Sequence, residues 1–270
     1  MPEGHTLHRL ANQQTAAFRD RVVAVSSPQG RFSDGAALLD GRRLLRVSAY
    51  GKHLFQHYEG RLVTHVHLGL YGKFVTGTSA PPPPRGALRM RIETAEPELP
   101  VHWTDLRGAI TCEVLPDPAG VRTIVAGLGP DPLRRNTDHG VAAFDRIHRS
   151  KVAVGAQLMD QARIAGIGNV YRAEILFRHG ISPFRPGTGL TPEDWAALWP
   201  DLVVLMRAGV RSGRIVTTDQ ADRPGGRVRR ETAHYVYRRD GLPCRRCGTP
   251  VSRTEMVGRN LFWCGVCQPS

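Results

Sequence analysis

Two Cys-x-x-Cys pairs close the sequence: Cys244-x-x-Cys247, sixteen intervening residues, then Cys264-x-x-Cys267. Four thiolates on two tight turns at that separation suit one tetrahedral Zn²⁺. The stretch from Gly248 to Trp263 is long enough for two short strands. The spacing therefore predicts a β-hairpin finger holding one structural zinc through Cys244, Cys247, Cys264 and Cys267. This tail has too few apolar residues to fold by burial alone, so the metal supplies the missing free energy. Two disulfides are the competing reading, but they belong to an oxidising compartment. Met1-Pro-Glu-Gly-His5 lacks the apolar core of a signal peptide. Cys112 is left over inside an apolar run and is expected to be a small buried hydrophobe.

Charge narrows the partner. The 270 residues carry a formal +13, and of 37 basic residues only Lys52, Lys73 and Lys151 are lysine. An excess of positive charge implies a polyanion, and guanidinium suits bidentate contacts to phosphate. No apolar stretch approaches the roughly 20 residues of a membrane span, so no membrane role is expected and the chain reads as soluble and intracellular. The length suggests two domains plus the zinc appendage.

Leu7, Leu10, Ala11, Gln14 and Phe18 share one helical face, and Pro2 and Glu3 stand just before that helix. From about residue 21 to 115 the period changes to two, with strands expected near 22–25, 54–58, 62–68, 88–92 and 109–115. Glu59-Gly60 reads as a hairpin turn, and Pro81 to Pro84 as an exposed loop. This half is expected to be an antiparallel β-sandwich led by one helix. Gly127-Leu-Gly-Pro-Asp-Pro132 breaks the pattern as a hinge. Helices are expected at 139–148, 152–164, 169–179 and 192–211, the last capped by Thr191 with Pro192 at its first position. An arginine-rich, glycine-containing loop over 211–230 follows.

Candidate chemistry sits at four places. Gly166-Ile-Gly168 opens onto a helix with Asn169 as expected N-cap, a possible phosphate seat or a plain helix connection. Lys52 follows Tyr50-Gly51 at a strand start. His53 and His57, and His65 and His67, share a sheet face pairwise; with no carboxylate at ligand spacing they read as polar members of half-buried strands rather than a second metal site. Pro2, once Met1 is removed, would present a secondary amine of pKa about 7.7–8.0 able to form an iminium, with Glu3 beside it for proton transfer.

Taken together, Pro2-Glu3-Gly4, Tyr50-Gly51-Lys52, His67-Leu-Gly-Leu-Tyr-Gly72, Gly127-Leu-Gly-Pro-Asp-Pro132, Met159-Asp-Gln161, Gly166-Ile-Gly-Asn169 and the four-cysteine finger with Gly258-Arg259 resemble the formamidopyrimidine-DNA glycosylase/endonuclease VIII family, along essentially the whole chain. The resemblance implies an α+β fold: a helix plus antiparallel β-sandwich over 1–118, a hinge over 119–135, a helical domain with a helix–two-turn–helix over 136–236, and the zinc finger over 237–270. It implies a bifunctional DNA glycosylase and AP lyase, acting as a cytoplasmic, nucleoid-associated monomer on damaged double-stranded DNA. Such an enzyme flips out the damaged nucleotide, expels its base through a proline Schiff base and nicks the strand by β,δ-elimination. By position, Pro2 resembles the nucleophile, Glu3 the general acid/base and Lys52 a phosphate contact that assists catalysis. Leu70 with Tyr71 resembles the wedge filling the vacated stack, and Arg107, Asn169 and Arg259 resemble further DNA contacts.

Two departures bear on substrate. His5-Thr6 stands where the family usually has Pro-Glu, and Arg107-Gly-Ala-Ile110 lacks the aromatic of the 8-oxoguanine branch. With Pro-Glu-Gly rather than Pro-Glu-Leu at the start, these favour the endonuclease VIII branch and oxidised pyrimidines. The alternatives are an 8-oxoguanine/formamidopyrimidine glycosylase and a catalytically silent DNA-binding protein.

Overall fold

The amphipathic stripe of the first residues forms α1 (Gly4–Phe18), which buries Leu7, Ala11, Gln14 and Phe18. The computed structural model describes residues 2–96, 101–135 and 139–269, and the chain divides into units 1–127 and 128–270.

In the first unit, α1 is followed by β1 (Arg21–Ser26), α2 (Ser33–Leu39), β2 (Arg43–Tyr50), β3 (His53–Tyr58), β4 (Val63–His67), β5 (Lys73–Gly77), β6 (Leu88–Thr94), β7 (Trp103–Arg107), β8 (Thr111–Leu115) and α3 (Pro118–Ala126). The strands pair in the order β5-β7-β6-β1-β2-β3-β4-β8. β1 is shared: Arg21 and Val22 pair with β2, while Val23 to Ser26 pair with β6. The ladder changes partner along one strand, and the inner faces close over Leu44, Val47, Leu54, Met90 and Leu106, with Leu7 and Phe18 of α1 in the same core. The mixed α+β class with an antiparallel sheet is as the periodicity predicts.

Several elements escaped the period-two reading for local reasons. In β2 the register shifts between Leu44 and Arg46, a bulge that breaks the alternation. β5 has no buried residue, so no apolar face announces it. β7 carries an inward carboxylate: Asp105 is fully buried and accepts from Arg91 Nε (2.6 Å), Arg91 Nη2 (3.0 Å) and Arg107 Nη2 (2.8 Å). Burial alone would raise the Asp105 pKa, but the hydrogen bonds from the two guanidiniums hold it below the ordinary carboxylate range. α3 occupies part of the stretch read from sequence as hinge, with Asp117 capping it at Ala119 N.

In the second unit, α4 (His139–His148), α5 (Val154–Gln157), α6 (Asn169–Arg178) and α7 (Pro192–Ser212) enclose Ile147, Leu158, Tyr171, Ile175, Leu198 and Leu202. Thr191 and Asp194 form a capping box on α7, and Gly213 ends it at φ 72°. The helix expected over 152–164 is corrected to α5 alone. Side chains take over the backbone beyond it: Asp160 Oδ1 accepts from Ala162 N (2.9 Å), Gln161 Oε1 accepts from Gly166 N (3.0 Å), and Gln161 Nε2 donates to Ile167 O (3.1 Å). The finger strands β9 (Ser252–Met256) and β10 (Arg259–Trp263) pair antiparallel. Val257 (φ 49°) and Gly258 (φ 67°) make their turn. Glu174 on α6 is fully buried. It accepts from Tyr235 N (2.7 Å), Val236 N and Tyr237 N (both 2.8 Å), and from the Thr217 hydroxyl. One carboxylate thus ties both ends of the arginine-rich segment to α6.

Replacing Arg91 by Leu leaves the fully buried Asp105 with Arg107 alone. Urea unfolding should then show a loss of about 3–5 kcal/mol, much of it recovered by adding Asp105→Asn. A loss below about 1 kcal/mol would show that the carboxylate finds other solvation.

Candidate functional site

The end of the sheet at which Pro2 and Glu3 lie follows from how α1 is laid down. Beyond the helix C-terminus, Asp20 N donates to Leu44 O (2.7 Å), and Thr15 Oγ1 both donates to Val47 O and accepts from Val47 N (3.1 Å each). Travelling back along the helix therefore means travelling up β2 towards Tyr50. From Thr15 to Glu3 is about 18 Å of helix, and from Val47 to the turn after Tyr50 about 15 Å of strand. The first residues of α1 therefore run towards the end of β2 that leads into Gly51, which takes φ 54°. Glu3 is fully buried and forms the N-cap of α1, its carbonyl accepting from Thr6 N (2.8 Å). His5, in the first turn, is pushed down to about 4 by burial and by the positive amino terminus, so it is neutral at pH 7.

The pairings His53–His67, His67–Thr111 and Lys73–Arg107 bring two loops to the same end, 68–72 and 108–110. They form a knuckle. A Cβ on Gly72 would lie 2.2 Å from Leu68 O, so only glycine lets the first loop fold this tightly. Gly69 (φ 68°) is covered by the Ile110 side chain. Tyr71 is 87% exposed, Ile110 67% and Leu70 38%. Arg107 stands at the base of the knuckle, held to Asp105. Ile110 enters the sequence reading only as a residue of the 109–115 strand and of the Arg107-Gly-Ala-Ile110 run, whereas in the structure it is, after Tyr71, the most exposed large apolar side chain of these two loops. The four histidines do not act as pairs. His57 bonds Ser48 Oγ (3.0 Å) at the far end of β3, whereas His53, His65 and His67 cluster beside Lys52. The Cys112 thiol is pushed up to about 12 by burial and stays protonated, in keeping with a packing role.

In the second unit, Asn169 does not cap α6. Gly168 is the N-cap, and the Asn169 side chain turns to the finger, Nδ2 donating to Asn260 O (2.8 Å). The fully buried Arg172 holds Asn169 Oδ1 and also donates to Met256 O (3.4 Å). The N-terminus of α6 is thereby clamped against β10, whose first residue is the exposed Arg259. Asn169 and Arg259, far apart in sequence, are neighbours across this contact.

The four finger cysteines are unbridged, and their sulfurs all lie within 4.8 Å of one another. Cys247–Cys264 is 3.4 Å and Cys244–Cys267 3.8 Å. Four sulfurs at the usual Zn–S length of about 2.3 Å in a tetrahedron stand about 3.8 Å apart, so the cage fits one structural zinc.

Comparison with known proteins agrees with these geometries. Residues 1–112 match the formamidopyrimidine-DNA glycosylase N-terminal domain, 128–221 the formamidopyrimidine-DNA glycosylase H2TH domain, and 241–269 the zinc finger found in FPG and IleRS. Endonuclease 8 1 of Mycobacterium tuberculosis is 50% identical over 99% of this chain and 100% of its own. This chain belongs to the formamidopyrimidine-DNA glycosylase/endonuclease VIII family. It is thus a DNA-repair glycosylase with a zinc-finger module, in a family of DNA glycosylases with AP lyase activity. The formamidopyrimidine-DNA glycosylase of Thermus thermophilus is 33% identical over 98% of this chain and 91% of its own. The fold matches Lactococcus lactis Fpg in complex with DNA containing N7-benzyl-Fapy-dG, with a TM-score of 0.82 at 19% identity over 100% of both chains. Among the described residues no helix is long and apolar enough to cross a membrane.

Because the finger's own buried apolar side chains are few, Val251, Leu261 and Phe262 beside the cysteines, its folding is expected to depend on the metal. Cys247→Ser or Cys264→Ser should lower bound zinc from one per chain towards none and abolish DNA binding. Full zinc content in both variants would show that the ligands are others.

Proposed function

We propose that this glycosylase removes oxidised pyrimidines from duplex DNA through a Schiff base on Pro2, then nicks the strand by β,δ-elimination. Once Met1 is removed, the Pro2 nitrogen attacks C1′ of the flipped nucleotide while the C1′–base bond breaks and the base leaves with a proton. Ring opening gives the iminium; loss of a C2′ proton expels the 3′ phosphate, and a second elimination expels the 5′ phosphate. The observation that carries this reading is the fully buried Glu3 at the N-cap of α1, a helix that runs along β2 towards the strand end leading into Gly51-Lys52. In this reading Glu3 exchanges protons with the sugar and base. Lys52 contacts phosphate and assists the chemistry.

Leu70 and Tyr71, joined by Ile110, fill the gap left by the flipped nucleotide. Arg107 contacts DNA from the base of the knuckle, and Asn169 and Arg259 hold phosphates flanking the lesion. The enzyme acts as a monomer on the nucleoid. The 50% identity to proteins named Endonuclease 8 1 supports the pyrimidine branch, as does the missing aromatic between Arg107 and Ile110. A flipped pyrimidine needs a smaller pocket than a purine, and arginines of the 211–230 segment suit its added carbonyl oxygens.

Borohydride should trap a covalent protein–DNA adduct on an abasic duplex. A retained Met1 or an N-terminal tag should abolish that adduct with little loss of affinity; an adduct at normal yield from a blocked terminus would remove Pro2 as nucleophile. Single-turnover excision on matched duplexes tests the lesion class. Thymine glycol and 5-hydroxyuracil should be removed faster than 8-oxoguanine opposite cytosine, and equal rates would assign the chain to the 8-oxoguanine branch with the iminium chemistry intact.

A further inference from the structure

Beside Lys52 the outer face of the sheet carries a chain of titratable groups that the mechanism above does not use. The register puts His53 opposite His67 and His65 opposite Glu113, so β3, β4 and β8 each contribute to one face. His65, 5% exposed, donates from Nδ1 to Glu113 Oε1 at 2.8 Å, and its Nε2 lies 2.8 Å from His53 Nδ1. The His53 and His65 rings stack at 5.1 Å, with Phe55 stacked on His65 at 5.2 Å and His67 tilted against His53 at 5.0 Å. Sequence spacing found no carboxylate for these histidines; the β4–β8 pairing supplies one.

The chain has one polarity. A carboxylate only accepts, so His65 donates through Nδ1 and holds a lone pair on Nε2. That lone pair accepts from His53 Nδ1, which leaves the acceptor lone pair on the Nε2 of His53, the residue after Lys52. At the other end the Glu113 side chain is 53% exposed to water. Apolar side chains at 53 and 65 would pack on Phe55 without the cost of burying imidazole, so these rings contribute chemistry rather than stability.

We propose that His53 is the proton acceptor in the first, β-elimination step and that His65 and Glu113 are positioning residues that pass its proton to solvent. This rests on the Schiff-base reading above. As the C2′–H bond of the iminium breaks, its electron pair forms the enamine and its proton goes to His53 Nε2. The Nδ1 proton of His53 passes to His65 Nε2, the Nδ1 proton of His65 passes to the Glu113 carboxylate, and Glu113 releases a proton to water. The enamine then expels the 3′ phosphate, so charge and atoms balance with no redox partner. The groups facing His53 are Lys52 on its own turn, His65 and His67 on β4, and Glu113 on β8 through His65. Burial, then His65, His67 and the Lys52 ammonium, hold His53 down to about 3, so it meets DNA as a neutral acceptor.

The test uses the full-length protein on a duplex carrying a preformed abasic site. His53→Ala should keep borohydride trapping at early times within about twofold of wild type while slowing strand nicking about tenfold or more, so that the adduct persists. Added imidazole should recover part of the nicking rate. Glu113→Gln, on the solvent side where folding is little affected, should slow nicking several-fold with trapping intact and gain nothing from imidazole, because His53 still fills the site. Nicking within twofold of wild type in both variants overturns the proposal. So does a joint fall of trapping and nicking in His53→Ala that imidazole does not recover. Wild-type protein that nicks yet forms no adduct would instead overturn the Pro2 reading, and this inference with it.

Discussion

The packing of α1 along β2 and β3 is the contact on which the first unit depends. Leu7, Ala11 and Phe18 enter the core between the sheet faces, each large apolar side chain contributing about 1.5–3 kcal/mol on burial. The helix axis is further fixed by the Thr15–Val47 bonds and by Gln56 Nε2 donating to Gln14 Oε1 (2.8 Å). A helix so held has no freedom to slide, and its first residues are delivered to one corner of the sheet. The first residues of a domain are ordinarily among its least ordered. Here Glu3, buried at the N-cap, is part of the scaffold.

The second unit solves a different problem, how to hold a small finger against a helical domain. Two charged residues of α6 do it from inside. Glu174 gathers three consecutive backbone N–H groups of Tyr235 to Tyr237, and Arg172 reaches Met256 O at the end of β9. Both are fully buried, and each is compensated by hydrogen bonds rather than by a single opposite charge. Arg246 adds to the seam by stacking on Phe177 and Tyr235, its guanidinium carbon 5.0 Å from each ring centre. The zinc fixes the finger's own turns, and these contacts fix what the finger is attached to.

Much of the candidate site was legible because it is written in local spacing. The cysteine pairs, the Thr191-Pro192 helix start and the Gly-Leu-Tyr-Gly72 loop each constrain their own neighbourhood whatever lies elsewhere. Motifs whose meaning lies in partners were misread or missed. Asn169 has the sequence of an N-cap, yet its amide is drawn to Asn260, ninety-one residues on. Asp105 looks like an ordinary strand-edge acid until Arg91 and Arg107 converge on it. The segment after Gln157 has helical spacing, but Asp160 and Gln161 bond the backbone themselves and stop the ladder.

By itself the sequence determined the α+β class, the zinc ligands and the family, because tetrahedral thiolate spacing, strand alternation and glycine turns are short-range chemistry. Only the tertiary structure decided which side chains come together: the loops of Ile110 and Tyr71 at one sheet end through the pairing of β4 with β8, and Glu113 with His65 across that same pair of strands. Strand order and register set those meetings. They are fixed by which faces bury together across the whole core, and no window of residues along the chain contains that information.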